Sequence, residues 1–239
     1  MTATTSAGDE TPRRRPGRPA VDTSEGVVET RELILRQAER LFMQRGYAAV
    51  SVGDVAEAVG VTKPTLYYHY GDKEGLYAAM LVALLIRVGA HIRRVTLLEA
   101  PVRERLEALA LGYFRNADAT MEPMLRDTEQ LIGPERAALV WAAYEQEMLT
   151  PLMTLMRAGM ETGEVRHGDE RILTRAFCSL LDAFSTPGQH ATAPDSASAP
   201  ATSHEEVARA EVARAVTSLF LDGAAPRNQP SESKRARVL

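Results

Sequence analysis

The segment SVGDVAEAVGVTKPTLYYHY, from Ser51 to Tyr70, permits few conformations. Ser51 with Asp54 three residues on forms a capping-box-like pair and opens one short helix, which stops at Gly60. Thr62 opens a second, with Pro64 in its first turn, where a missing N–H removes no hydrogen bond. Between them, Ala56, Gly60 and Leu66 meet the three demands of a helix-turn-helix. These are a small residue where the helices cross, a turn residue tolerant of positive φ, and one aliphatic side chain buried against the first helix. An ordinary αα-corner meets the same demands, so the spacing alone leaves both readings open.

The second helix separates them. It belongs to VTKPTLYYHYGDKEGLY, Val61 to Tyr77, which holds four of the chain's seven tyrosines. With Leu66 facing the core, Lys63, Thr65, Tyr67, Tyr68 and His69 cover mostly the other faces. A helix lying in the major groove needs hydrogen-bond donors around its rim, because phosphate oxygens accept. Thr62 and the free backbone N–H groups behind it suit a phosphate as well. Lys73, at the start of the next helix, would reach the backbone on the far side. The competing reading is that Tyr67, Tyr68 and Tyr70 wedge a small domain together, and for Tyr70 the wedge is the preferred role.

The remaining sequence has helical spacing and no strand-like alternation, so the expected fold is all-α. Ile34, Ala38, Leu41 and Phe42 mark a helix from Thr30 to Gly46, and Asp72 caps a long one toward Arg93. Further helices are expected over about 102–118, 120–131, 134–161, 169–185 and 204–222. The expected domains are a disordered basic arm (1–28), a helix-turn-helix head (29–74), and a helical ligand-binding and dimerisation domain (75–223). The last is interrupted by a flexible loop at about 186–203, and a disordered tail follows (224–239). With 45% hydrophobic residues, the 239-residue chain can bury a substantial core. A lone cysteine, Cys178, excludes a disulfide framework and fits a reducing, cytoplasmic setting. The longest central run without a charge, GLYAAMLVALLI, is shorter than the ~20 residues that span a bilayer, so no membrane partner is expected. The net charge of −4 hides an asymmetry: residues 11–73 hold ten Lys or Arg against eight Asp or Glu. That basic charge is densest in RRRPGRP, Arg13 to Pro19.

The stretch SVGDVAEAVGVTKPTLYYHYGDKEGLYAAML, residues 51–81, with ILRQAERLFMQRGYAAV before it, resembles the DNA-binding signature of the TetR (tetracycline repressor-like) family of bacterial regulators. The resemblance covers about residues 30–80. It implies a three-helix head whose third helix reads DNA, a larger helical regulatory domain, and a homodimer on a near-palindromic double-stranded operator. Carried over by position, it implies base-edge contacts by Lys63, Pro64 and Tyr67. Phosphate contacts fall to Val52 through its backbone, Thr65, Tyr68, His69 and Lys73. Gly53 departs from the family, which in some members places a base-reading side chain there. Arg18, between Gly17 and Pro19, resembles the Gly-Arg-Pro core of AT-hook peptides and suits an A·T minor groove; a solvated basic tail is the alternative.

The family architecture further implies that the last two long helices pair with their copies in a dimer interface. Apolar stripes there include Ile172, Leu173, Phe177, Leu180, Leu181 and Phe184, then Val207, Ala213, Val216 and Phe220. Burial within one subunit would leave the same stripes. A small-molecule effector that releases the operator is also implied. Tyr113, Phe114, Trp141, Tyr144 and Met148 would line its site, or simply fill the core. Two other classes compete with this reading. A helical adaptor with a decayed head would have lost the polar donors of the second helix, and they are present. A helical-bundle metalloenzyme would need more than the single Glu-x-x-His pair, Glu164 and His167. No metal, cofactor or catalytic residue is therefore expected, and the repressor mode is preferred over the activator.

Overall fold

The computed structural model describes residues 23–115, 122–185 and 203–224, and every regular element among them is helical. The basic arm with Arg18, residues 186–202 of the expected loop and nearly all of the 224–239 tail lie outside the described residues. The head consists of α1 (Thr23–Ala49), α2 (Val52–Val59) and α3 (Lys63–Tyr70). α1 starts at Thr23, within the expected disordered arm and well before the expected Thr30. Once a helix is nucleated, each added residue gains a hydrogen bond, and residues 23–30 contain no proline to stop that growth. Gly46, at φ 75° and ψ 162°, breaks it close to the expected stop.

The long α4 (Lys73–Thr96) leaves the head and is followed by α5 (Val102–Arg115), α6 (Glu122–Arg126), α7 (Thr128–Ile132) and α8 (Pro134–Tyr144). A π-helical segment, Glu145–Leu149, then runs into α9 (Thr150–Thr162), before α10 (Glu170–Phe184) and α11 (Ser203–Ala224). The single helix expected over 134–161 is continuous but widened. Pro151 has no N–H to give, and its ring would crowd the carbonyl four residues back, at Glu147. The turn before it opens to π spacing instead of ending.

Two apolar cores result. The first joins Leu41, Phe42, Val55 and Leu66 of the head to Leu76–Leu85 of α4, and onward to Met124, Ile132 and Val140. The second joins Ile92 and Val95 of α4 to α5, α9, α10 and α11 through Leu106, Met156, Phe177, Val216 and Phe220. Val88 and Met148 touch both. The expected boundary near residue 74 is thus not a break in packing, because the head shares its core with α4 and α6–α8. Lys73–Thr96 is long and apolar enough to cross a bilayer, although its longest uncharged run is short. Ten of its residues are buried against other helices, which makes it the axle of the protein.

Candidate nucleic-acid interface

The two short helices of the head are bounded by the residues that the sequence marks. The Ser51 hydroxyl accepts from the Asp54 N–H at 3.2 Å, and the Asp54 carboxylate accepts from the Ser51 N–H at 2.6 Å. The Ser51 hydroxyl also donates to this carboxylate, at 2.6 Å, and that bond, followed by the one from the Ser51 N–H, holds the Asp54 carboxyl below the usual carboxylate range. Gly60 turns at φ 76° and ψ 28°, a left-handed conformation that favours glycine. Its N–H and that of Val61 both donate to the Ala56 carbonyl, at 3.0 Å each. Thr62 caps α3 through the Thr65 N–H. Leu66, Ala56 and Val55 are buried where α2 and α3 cross. The side chain of Val52 is buried too, leaving its backbone as the part able to meet a phosphate.

With Leu66 inward, the rest of α3 points out. Thr62, Lys63, Pro64, Tyr67, Tyr68 and His69 are exposed, Tyr68 at 86%, and Thr65 is half-buried beside them. One side of an eight-residue helix thus presents an ammonium, hydroxyls and an imidazole to solvent. Such a surface can donate to phosphates and base edges. Tyr70 is half-buried against the first core, as the wedge reading expects. Lys73 is less free than its position suggests: its Nζ sits 4.2 Å from the centroid of the Tyr47 ring and 3.5 Å from the Ala48 carbonyl oxygen.

Three features of the head escaped sequence reasoning. Gly53 does more than lack a reading side chain, since a Cβ there would come within 2.6 Å of the Lys63 Cε. Lys63 therefore lies across the start of α2. Gly75 allows α4 to pass against the end of α3, where any Cβ would run into the Tyr70 carbonyl oxygen. Arg136 of α8 donates to Asp72 Oδ2 at 2.9 Å, while Asp72 Oδ1 caps α4 through the Gly75 N–H at 2.7 Å. Burial pushes the Asp72 carboxyl up, but these two donors outweigh it and leave it below the usual range. Sequence spacing gives no hint of the last two contacts, because each joins the head to a separate helix.

The regulatory half corrects the sequence reading more often. Phe177, at 0% exposure, and Leu181, Val216 and Phe220 are buried within the single chain, where the Phe177 and Phe220 ring centroids lie 5.3 Å apart. They cannot face a second copy, because α10, α11 and α5 already enclose them. Leu180 is half-buried and packs on the same core. The apolar side chains left outward on these helices are Ile172 (67% exposed), Phe184, Val207 and Leu219 (55%). Of the suggested effector lining, Tyr113 and Tyr144 come together beside Cys178 and Asp182, while the others sit in differing environments. Phe114 is core, and Trp141 is largely exposed. Tyr113 donates to Asp182 at 2.6 Å. Tyr144, half-buried near Cys178 and Asp182, has its pKa pushed up to about 12, chiefly by burial. Met148 bridges the two cores. Glu164 accepts from the Val102 N–H at 2.8 Å and so caps α5 instead of pairing with His167.

These elements define a class of protein: a helix-turn-helix head carried on an all-helical second domain. The sequence profile described as "Bacterial regulatory proteins, tetR family" matches residues 34–80. The HTH-type transcriptional activator FasR of Mycolicibacterium smegmatis is 30% identical over 119 residues, 49% of this chain and 54% of that one. The HTH-type transcriptional repressor KstR2 of Rhodococcus jostii is 28% identical over 151 residues, 62% of this chain and 73% of that one. The crystal structure of the TetR family transcriptional regulator PfmR from Thermus thermophilus matches with a TM-score of 0.56 at 28% identity, covering 79% of this chain and 97% of that one. The chain spans about half the length of the first of these relatives. Its residues 34–80 thus carry the DNA-binding head of the TetR family of bacterial regulators, and its fold matches a solved member of that family over most of its length.

Proposed function

We propose that this chain is a cytoplasmic, homodimeric transcriptional regulator that binds a near-palindromic DNA operator through α3 and releases it when a small effector binds the helical domain. The observation that carries this reading is the face of α3: Lys63, Pro64, Tyr67, Tyr68 and His69 stand in solvent on a helix whose one fully buried side chain is Leu66. Repression is the favoured mode, being the commoner one in the family, and it requires only that the operator be occupied. The outward face of α10 and α11, with Ile172, Phe184, Val207 and Leu219, is assigned to the second copy. Two heads held by that face would enter successive major grooves, ~34–36 Å apart.

The test begins by selecting binding fragments from random duplex DNA with the full chain. Tyr67→Ala should then weaken the selected duplex by roughly 1–3 kcal/mol and relax preference at one base step, with little change on scrambled DNA. Thr65→Ala, which removes a phosphate donor, should weaken both duplexes alike. Salt titrations of fluorescence anisotropy separate the two outcomes. Equal affinity of all three proteins for the selected duplex would refute α3 as the reader.

A further inference from the structure

Below the head, a cavity of about 480 Å³ opens between the last turn of α4, the start of α5 and the joint from the π-helical segment into α9. Its volume lies in the range of small-molecule sites, ~300–1,000 Å³. The walls differ in character. Leu97, Pro151, Leu155 and Ala158 supply hydrocarbon, while Arg93 and Arg105 supply two guanidiniums. The one carboxylate in the lining, Glu147, is already engaged by Arg93.

Arg105 is left incomplete. Its Nη1 donates to the Thr96 carbonyl at 3.1 Å, but its Nε is shut off from solvent with no hydrogen-bond partner. A buried N–H without an acceptor is destabilising, and on a cation more so. With Nη1 occupied and Nε closed off, Nη2 is the nitrogen of this guanidinium left to meet an anion by a charge-assisted hydrogen bond. The site also bears directly on α4. A Cβ on Gly89 of α4 would come within 2.7 Å of the Glu147 Cβ, so the π-helical segment rests against α4 beside Arg93. Widened turns of this kind recur at functional sites.

We propose that this cavity is the effector site and that it takes an amphipathic monocarboxylate, with its carboxylate on Nη2 of Arg105 and its apolar body against Leu97, Pro151, Leu155 and Ala158. The assignment rests on the ligand-responsive reading given above. It locates the site away from Tyr113, Trp141 and Tyr144, and it places the anion where it competes with Glu147 for Arg93 on α4.

Calorimetry on the full chain tests it with octanoate, decanoate and 4-phenylbutyrate as probes, and with 1-decanol as the uncharged control. At least one carboxylate should bind the wild type, and Arg105→Met should weaken it about tenfold or more while leaving decanol unchanged. Arg105→Lys keeps the charge but loses the fixed Nη2 donor at the end of a planar guanidinium, so it should weaken the same probe and serves if Arg105→Met does not fold. Absence of binding by all three carboxylates, or equal binding to wild type and the Arg105 variants, would overturn the assignment. Operator affinity is measured in parallel. A carboxylate held through Arg105 that leaves operator affinity unchanged would support the site and overturn ligand-driven release.

Discussion

The two cores of this protein are built by different rules. In the first, the two short helices of the head are bounded by residues acting within a few positions of themselves: Ser51, Gly60 and Thr62, then Asp72 at the start of α4. In the second, the decisive contacts join segments far apart in sequence. Phe177 meets Phe220 across the chain, and Glu164 caps α5 from 62 residues away. The head is therefore specified locally, and the regulatory half by how its helices pack on one another. α4 belongs to both, with Leu76 to Leu85 in one core and Ile92 and Val95 in the other.

The sharpest way to break the first core alone is Gly75→Ala. The new methyl would meet the Tyr70 carbonyl, a backbone atom that can yield only if α3 moves away from α4. Operator affinity should fall by more than about 100-fold, with several kcal/mol of stability lost, the range reserved for such steric faults. Circular dichroism should still show the helices of the second core. Normal operator binding by this variant would mean that α3 is not seated by α4.

That contrast also governs what could be read from the sequence. The caps, the turn at Gly60 and the outward face of α3 were legible because capping and turn chemistry act over three or four residues. The inward or outward choice on α10 was not. Its apolar residues cover more than one face, and only the positions of α5, α9 and α11 decide that Phe177 goes in and Ile172 stays out. The cavity beside Arg105 was equally invisible, since it depends on a widened turn meeting a glycine on another helix.

A second pair of variants separates burial from association. Phe177→Ala should remove ~3–5 kcal/mol by leaving a cavity in the second core. Hydrogen exchange should then show protection lost in α5, α10 and α11 while α2 and α3 keep theirs. Matching losses in the head would make the two cores a single cooperative unit. Ile172→Glu, on the outward face, should change stability by no more than ~0.5 kcal/mol but yield monomers by light scattering. An Ile172→Glu variant that remains a dimer would place the interface elsewhere.

The smallest effect is expected at the join between head and body. Asp72→Asn weakens the contact to Arg136, an exposed pair worth ~1 kcal/mol or less. The folded carboxyl titrates below its unfolded value of ~3.9, so its contribution is complete above that pH and is lost as pH falls through the lower, folded value. Denaturant melts of wild type and variant should differ at neutral pH and converge in acid. A difference that persists in acid would point to the cap geometry and away from the charge.

The central claim is that α4 transmits events at the Arg105 cavity to α3, and it can be tested without knowing the effector. Burial raises the pKa of the Cys178 thiol to about 12, which leaves it a poor nucleophile, so a cysteine placed at exposed Thr154 in the cavity wall should be the one that a maleimide labels. Operator affinity of Thr154→Cys is then compared before and after alkylation with N-(1-naphthyl)maleimide. Filling the cavity should weaken operator binding by about 5- to 150-fold, the span of ~1–3 kcal/mol of coupling, with the helical signal unchanged. An alkylated protein that binds its operator as tightly as the unmodified one would contradict the claim.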